Sequence, residues 1–213
     1  MKLSPSLLAA DLARLLDEAL SVEEQVDRFH WDVMDGHFVP NLTFGPPVVN
    51  ALRAKLRLPF DIHLMIDSPA VYAPQFDVLP CDTILFHIES DDAPERVLEA
   101  IAGTAASAGI TLRPGSPLES IIPYLDHVSM VLVMSVEPGF GGQAFLPEAL
   151  DRIRVLRELI GDRAIEISVD GGVNEQTIRS VIEAGGDIAV AGSAIFGAAD
   201  RANAIRRLRE AVA

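Results

Sequence analysis

The chain has 213 residues, 49% hydrophobic and 23% charged, with 15 glycines and 14 prolines; it is long enough to bury one substantial core and too apolar to be disordered or fibrous. Seventeen Lys and Arg against 31 Asp and Glu give a net charge of −14, which excludes nucleic acid and anionic membrane surfaces as expected partners, because both require basic patches. A small anionic substrate is compatible with that charge, since backbone N–H groups at helix N-termini hold phosphate without Lys or Arg.

Short apolar runs alternate along the chain with longer amphipathic stretches. The runs predict strands at 2–8, 28–34, 60–65, 83–88, 110–113, 129–134, 165–169 and 188–191. Between them, helical spacing places Leu12, Leu15, Leu16, Ala19 and Leu20 on one face, with Asp11 as the cap before them. The same spacing joins Ile153, Leu156 and Ile160, and later Ile205, Leu208 and Val212. Gly161 and the Gly185-Gly186 pair stand where left-handed helix ends belong.

Eight strands alternating with helices predict a closed (β/α)8 TIM barrel, a single domain over 1–213. A doubly wound open sheet is disfavoured. No G-x-G-x-x-G follows the first strand, and polar residues sit near the ends of nearly every strand instead of at one switch point. Cys81 is the single cysteine, so no intrachain disulfide forms and a reducing compartment fits. With no signal-like or membrane-spanning run at the start, the expected location is the cytoplasm.

Strand parity separates the chemistry from the packing. In 28–34, Phe29, Trp31 and Val33 oppose His30, Asp32 and Met34; in 60–65, Phe60, Ile62 and Leu64 oppose Asp61, His63 and Met65; in the seventh strand, Ile165, Ile167 and Val169 oppose Glu166, Ser168 and Asp170. The apolar faces are expected against the helices and the polar faces inside the barrel, with their last members at the C-terminal mouth. His30, Asp32, His63 and Asp170 then converge as two imidazoles and two carboxylates, a ligand set for one Zn²⁺, Fe²⁺ or Mn²⁺ that does not choose among them. The competing reading makes each a hydrogen-bonded core residue, but four buried polar groups at one mouth are too costly without an ion or a function. His87 and Glu89 share a face of the fourth strand and read as a satisfied core pair, with support of the ligands or an alternative ligand pair as the other readings. Asp61 is expected to partner a neighbouring strand.

Three glycine clusters each follow a strand and precede a helix: Gly139-Phe140-Gly141-Gly142-Gln143, Asp170-Gly171-Gly172-Val173-Asn174 and Ala191-Gly192-Ser193. In such barrels the last two of these loops are a common phosphate cradle. Only Lys2 and Lys55 occur, neither at a strand's C-terminal end, which disfavours Schiff-base aldolases and the related barrel decarboxylases that use an Asp-Lys pair.

The residues resemble the ribulose-phosphate 3-epimerase family. The matching motifs are Ser4-Pro5-Ser6-Leu7-Leu8-Ala9-Ala10-Asp11, His30-Trp31-Asp32-Val33-Met34-Asp35-Gly36-His37-Phe38-Val39-Pro40-Asn41, Asp61-Ile62-His63-Leu64-Met65, Val136-Glu137-Pro138-Gly139-Phe140-Gly141-Gly142-Gln143 and Val169-Asp170-Gly171-Gly172. The resemblance departs at Gln25-Val26-Asp27, at Arg113-Pro114-Gly115-Ser116, and at Ser135 and Ser168. It implies one divalent metal per subunit on His30, Asp32, His63 and Asp170, with Asp32 and Asp170 as the two acid/base residues. Ser6 and His63 would contact the sugar. Gly139, Phe140, Gly141, Gly142, Gly171, Gly172, Gly192 and Ser193 would take the phosphate end, and Met34, Met65 and Met134 would line the ring above the metal. The implied activity interconverts D-ribulose 5-phosphate and D-xylulose 5-phosphate through a metal-stabilised enediolate, in a homo-oligomer. Two alternatives stay open: a 3-epimerase of a hexulose 6-phosphate such as D-allulose 6-phosphate, and a non-catalytic sugar-phosphate-binding barrel.

Overall fold

The computed structural model describes residues 1–212. Eight parallel strands form the barrel: β1 (Lys2–Pro5), β2 (Phe29–Met34), β3 (Phe60–Met65), β4 (Thr83–His87), β5 (Ser107–Leu112), β6 (Met130–Met134), β7 (Glu166–Asp170) and β8 (Ile188–Ala191). Their order around the sheet is β1-β8-β7-β6-β5-β4-β3-β2. Between β1 and β2 the barrel closes by a thin seam. Ser6 and His30 form an isolated parallel bridge, and the Leu3 carbonyl accepts from the N–H groups of Asp27 (3.0 Å) and Arg28 (3.3 Å).

The outer layer consists of α1 (Leu15–Leu20), α2 (Pro46–Arg53), α3 (Pro69–Tyr72), α4 (Pro94–Ala102), α5 (Glu148–Ile160), α6 (Ile178–Ala184), α7 (Ser193–Phe196) and α8 (Arg201–Glu210). Between β5 and β6 the cover is a 3-10 helix, Leu118–His127. Pro123 lies inside it, and its missing N–H and ring bulk are incompatible with an α-helical interior. No helix among the described residues is long and apolar enough to cross a membrane.

The alternation of the strands sorts the core into two layers. Phe29, Trp31, Phe60, Ile62, Ile167 and Val169 face outward and pack with Ile153, Leu156, Ile160 and Val181 of the helices. A smaller group, Leu85, Met130, Leu132, Met134, Val136, Ile188 and Val190, fills the barrel interior. Below the site, Arg28 plugs the barrel base. Its Nε lies 2.8 Å from both oxygens of Asp61, which also accepts from Ser4 Oγ at 3.1 Å, and Arg28 Nη2 lies 3.1 Å from Thr83 Oγ1. This is the neighbouring-strand partner that the sequence assigned to Asp61.

Three predicted elements differ. The first strand ends at Pro5, and Leu7–Ala9 coil into a 3-10 turn. The fifth begins at Ser107, earlier than its apolar run, because its first residues are small: a Cβ on Gly109 would sit 2.4 Å from Leu85 Cδ2. In the first helical segment a separate 3-10 turn, Leu12–Arg14, precedes the six residues of α1, with Asp11 capping the turn through Ala13 N. The spacing is reset there, leaving Leu12 and Leu20 exposed while Glu18 is buried beside Arg201.

Candidate active site

Parallel pairing of β2 and β3 puts Asp32 opposite His63, and parity sends His30, Asp32 and His63 into the barrel; Asp170 ends β7 at the same level. His30 Nε2 lies 3.3 Å from Asp32 Oδ1 and 3.9 Å from Asp170 Oδ2. His63 Nδ1 lies 3.2 Å from Asp32 Oδ1, 4.0 Å from Asp170 Oδ2 and 3.3 Å from His30 Nε2. All four donor atoms fall within 4.8 Å of one another. A tetrahedron with metal bonds of about 2.1 Å has edges of about 3.4 Å, so these separations fit a small divalent cation. The two carboxylates match its charge.

Without a cation, protons redistribute within the cluster. Burial opposes a charge on His30, but the Asp32 and Asp170 carboxylates outweigh it and push the imidazolium up to about 9. His63, buried and close to the other imidazoles, is pulled down to about 3 and is neutral. Burial also works against the Asp32 charge, yet His30 and His63 hold that carboxyl well below the usual carboxylate range. Asp170 moves the opposite way: burial and the adjacent Asp32 carboxylate raise it. Without a cation the two carboxyl groups of the site are thus shifted in opposite directions.

Above the cluster opens a cavity of about 720 Å³, with Ser6, Asp32, Met34, Met65, Met134 and Asp170 on its floor and walls. The three glycine clusters meet at its rim through Gly139, Phe140, Gly141, Gly142, Gly171, Gly172, Gly192 and Ser193. The N–H groups of Gly141, Gly142, Gly172 and Ser193 find no acceptor among the described residues. No Lys or Arg lines the cavity. His30 and His63 are fully buried and do not reach the cavity wall, so His63 faces the other site residues and not the opening. Phe140 is 55% exposed at the rim.

Local bonds fix these groups. Ser6 Oγ donates to Asp32 Oδ2 at 2.6 Å, leaving Oδ1 for the histidines. Ser135 Oγ lies 2.8 Å from the Asp170 carbonyl and 2.7 Å from that of Gly171, pinning the end of β7. Asn41 Nδ2 donates to the Gly139 carbonyl at 2.9 Å and ties the loop after β2 to that after β6. These roles of Ser135 and Asn41 were not read from the sequence, although both residues lie within or beside the quoted motifs. Glycine is required at Gly171 and Gly172, whose φ values are +116° and +63°: a Cβ would sit 2.5 Å from Val136 Cγ2 at the first and 2.4 Å from Phe145 N at the second.

A family model described as the ribulose-phosphate 3 epimerase family matches residues 2–196. The chain belongs to this family. It is 49% identical over 209 residues to the ribulose-phosphate 3-epimerase of Mycobacterium tuberculosis, covering 97% of this chain and 91% of that protein. To the Bacillus subtilis protein of the same name it is 42% identical over 213 residues, covering 98% of each. Among solved structures, 3-keto-L-gulonate-6-phosphate decarboxylase from Vibrio cholerae superposes with a TM-score of 0.73 at 18% identity, over 99% of this chain and 96% of that one. At that identity the likeness concerns the barrel alone.

Proposed function

We propose that this epimerase-family barrel interconverts D-ribulose 5-phosphate and D-xylulose 5-phosphate by removing the C3 proton on one face and returning a proton on the other. The observation that carries the reading is the pair Asp32 and Asp170, two carboxyl groups that line one cavity from different strands. Inversion next to a ketone needs a base and an acid at once, and such a pair supplies both. The two come from β2 and β7, which β1 and β8 separate around the barrel.

In one direction the ionised Asp32 takes the C3 proton while protonated Asp170 delivers its own to the opposite face; the reverse reaction exchanges the roles. Ser6 Oγ keeps Asp32 oriented, and the Ser135 hydroxyl holds the backbone that carries Asp170. His30, Asp32, His63 and Asp170 would hold a divalent ion, which supplies Lewis-acid stabilisation of the charge developing on the substrate oxygens. Met34, Met65 and Met134 keep water from the enediolate with adaptable, apolar side chains. The free N–H groups at the glycine rim suit a phosphate dianion in a chain with no cationic side chain on the wall. The strongly named relatives support the pentulose substrate.

The test is a coupled epimerisation assay on D-ribulose 5-phosphate and D-allulose 6-phosphate, with protein stripped of metal and then restored with Zn²⁺, Fe²⁺ or Mn²⁺. Metal-dependent turnover preferring the pentulose is expected, with deuterium entering C3 in heavy water. Asp32→Asn and Asp170→Asn should each lower kcat by about 10³-fold or more while the circular-dichroism melt stays cooperative. Preference for the hexulose reassigns the substrate, and near-wild-type turnover in either variant overturns the two-carboxylate mechanism.

A further inference from the structure

Two side chains that the proposed mechanism does not use, the buried His87 and the partly exposed Glu89, form a line leading away from the ligand cluster. His63 turns Nδ1 to Asp32, and its other nitrogen, Nε2, lies 2.9 Å from His87 Nε2. On the far side of the second ring, His87 Nδ1 lies 3.1 Å from Glu89 Oε2. Glu89 is held in turn: its Oε1 accepts from the Arg113 N–H at 2.8 Å and from the Ser116 hydroxyl. Both histidine rings are fully buried. His87 stacks between the His63 ring, 5.0 Å away, and the Phe38 ring, 4.7 Å away, and the Arg113 guanidinium covers Phe38 at 4.2 Å.

Donor and acceptor counting along this line allows one arrangement. An ionised carboxylate only accepts, so Glu89 requires the proton of His87 on Nδ1. A neutral imidazole carries one N–H, which makes His87 Nε2 an acceptor. It then requires a donor 2.9 Å away, and that donor is His63 Nε2–H. The remaining His63 nitrogen, Nδ1, is left with a bare lone pair facing Asp32 Oδ1 and Asp170 Oδ2. In the metal-free cluster this lone pair also faces His30 Nε2, 3.3 Å away, and a divalent ion seated among the four side chains would take it as a ligand. His30 has no comparable device, since its Nδ1 is buried without a hydrogen-bond partner.

We propose that Glu89 and His87 are positioning residues that fix the tautomer of His63 and so hold its Nδ1 lone pair ready for the divalent ion. This deepens the metal-dependent reading above and rests on it. Partners of this kind behind a metal-bound histidine change metal affinity about 10–100-fold when removed.

The experiment uses the full-length protein loaded with Zn²⁺. Two-bond nitrogen–proton correlation spectra should show the His87 proton on Nδ1 and the His63 proton on Nε2; a His87 proton on Nε2 overturns the proposal, with no variant needed. His87→Leu removes the acceptor and should weaken Zn²⁺ binding about 10–100-fold in competition with a chromophoric chelator. His87→Gln keeps an acceptor toward His63 and a donor toward Glu89, and should return the affinity to within a few-fold of wild type. Equal losses in the two variants would mean that only ring packing matters, and unchanged affinity in His87→Leu would mean that the line does nothing; either result overturns the proposal. These readouts need no substrate. A protein that shows the expected tautomers and losses but epimerises no ketose phosphate refutes the function alone, and an active epimerase with wild-type affinity in His87→Leu refutes the relay alone.

Discussion

Arg28 and Asp61 meet at the bottom of the barrel, both nearly inaccessible to water, with the guanidinium Nε 2.8 Å from each carboxylate oxygen. Two desolvated charges at that distance are a weak source of net stability, because the cost of burying them offsets most of their attraction. Removing one partner is another matter: Arg28→Met leaves the Asp61 carboxylate buried without its countercharge. The expected loss is about 3–5 kcal/mol, read from denaturant midpoints, and the double variant Arg28→Met with Asp61→Leu should recover much of it. The same reasoning applies higher in the barrel, where Asp32 and the two histidines are buried and Asp170 is half-buried, with no arginine beside them. There the countercharge in the absence of metal is the His30 imidazolium. Ser6 shows how a small residue limits the freedom of such a group: one hydroxyl takes Asp32 Oδ2 and leaves Oδ1 as the oxygen that faces the histidines.

At the level of elements, the loops after β6 and β7 lie so close that the backbone of one occupies the space a side chain on the other would need. Gly172→Ala would place its Cβ 2.4 Å from Phe145 N in a left-handed conformation. The conformational part alone costs about 1–2 kcal/mol, and the collision must push the two loops apart. A lower Tm and a KM for the sugar phosphate raised about tenfold or more are expected, checked by thermal melts and by inorganic-phosphate competition. The sequence made the strands legible because the side-chain period of two is short: six residues of β2 and six of β3 suffice to separate His30, Asp32 and His63 from Phe29, Trp31 and Phe60. Helix faces were harder to read. Leu12 and Leu20 satisfy the spacing of a buried stripe, yet each is about half exposed, since nothing forbids a surface leucine and a one-turn change of winding at Leu12–Arg14 rotates the face. The line through His87 and Glu89 was seen only as a pair. Its meaning depends on which nitrogen of His63 is across from it and on donors from Arg113 and Ser116, which are packing facts that no local pattern contains.

At the scale of the whole molecule, the same barrel serves different chemistries. The similar Vibrio cholerae structure is named a decarboxylase, but the two lysines of this chain lie away from the mouth: Lys2 pairs with Glu166 at the start of the strands, and Lys55 follows α2. The four residues that would hold a divalent ion stand on both sides of the barrel's seam. The barrel is a strip of eight strands rolled until β1 meets β2, and the join is one bridge and a few hydrogen bonds at Leu3. His30 and Asp32 belong to the strand on one side of that join, while Asp170 reaches in from β7, two strands beyond it on the other side. An ion held by both sides would lace the roll shut from within. The amides of Asp27, Arg28 and His30 should therefore exchange with solvent faster in metal-free protein and slow on adding Zn²⁺, whereas those of β5 and β6, opposite the join, should barely change; uniform slowing across all eight strands would show that the ion tightens the barrel without acting as a lace. Catalytic readiness and closure of the barrel would then be one event, and a cell short of the metal would hold a protein that is both inactive and unlaced.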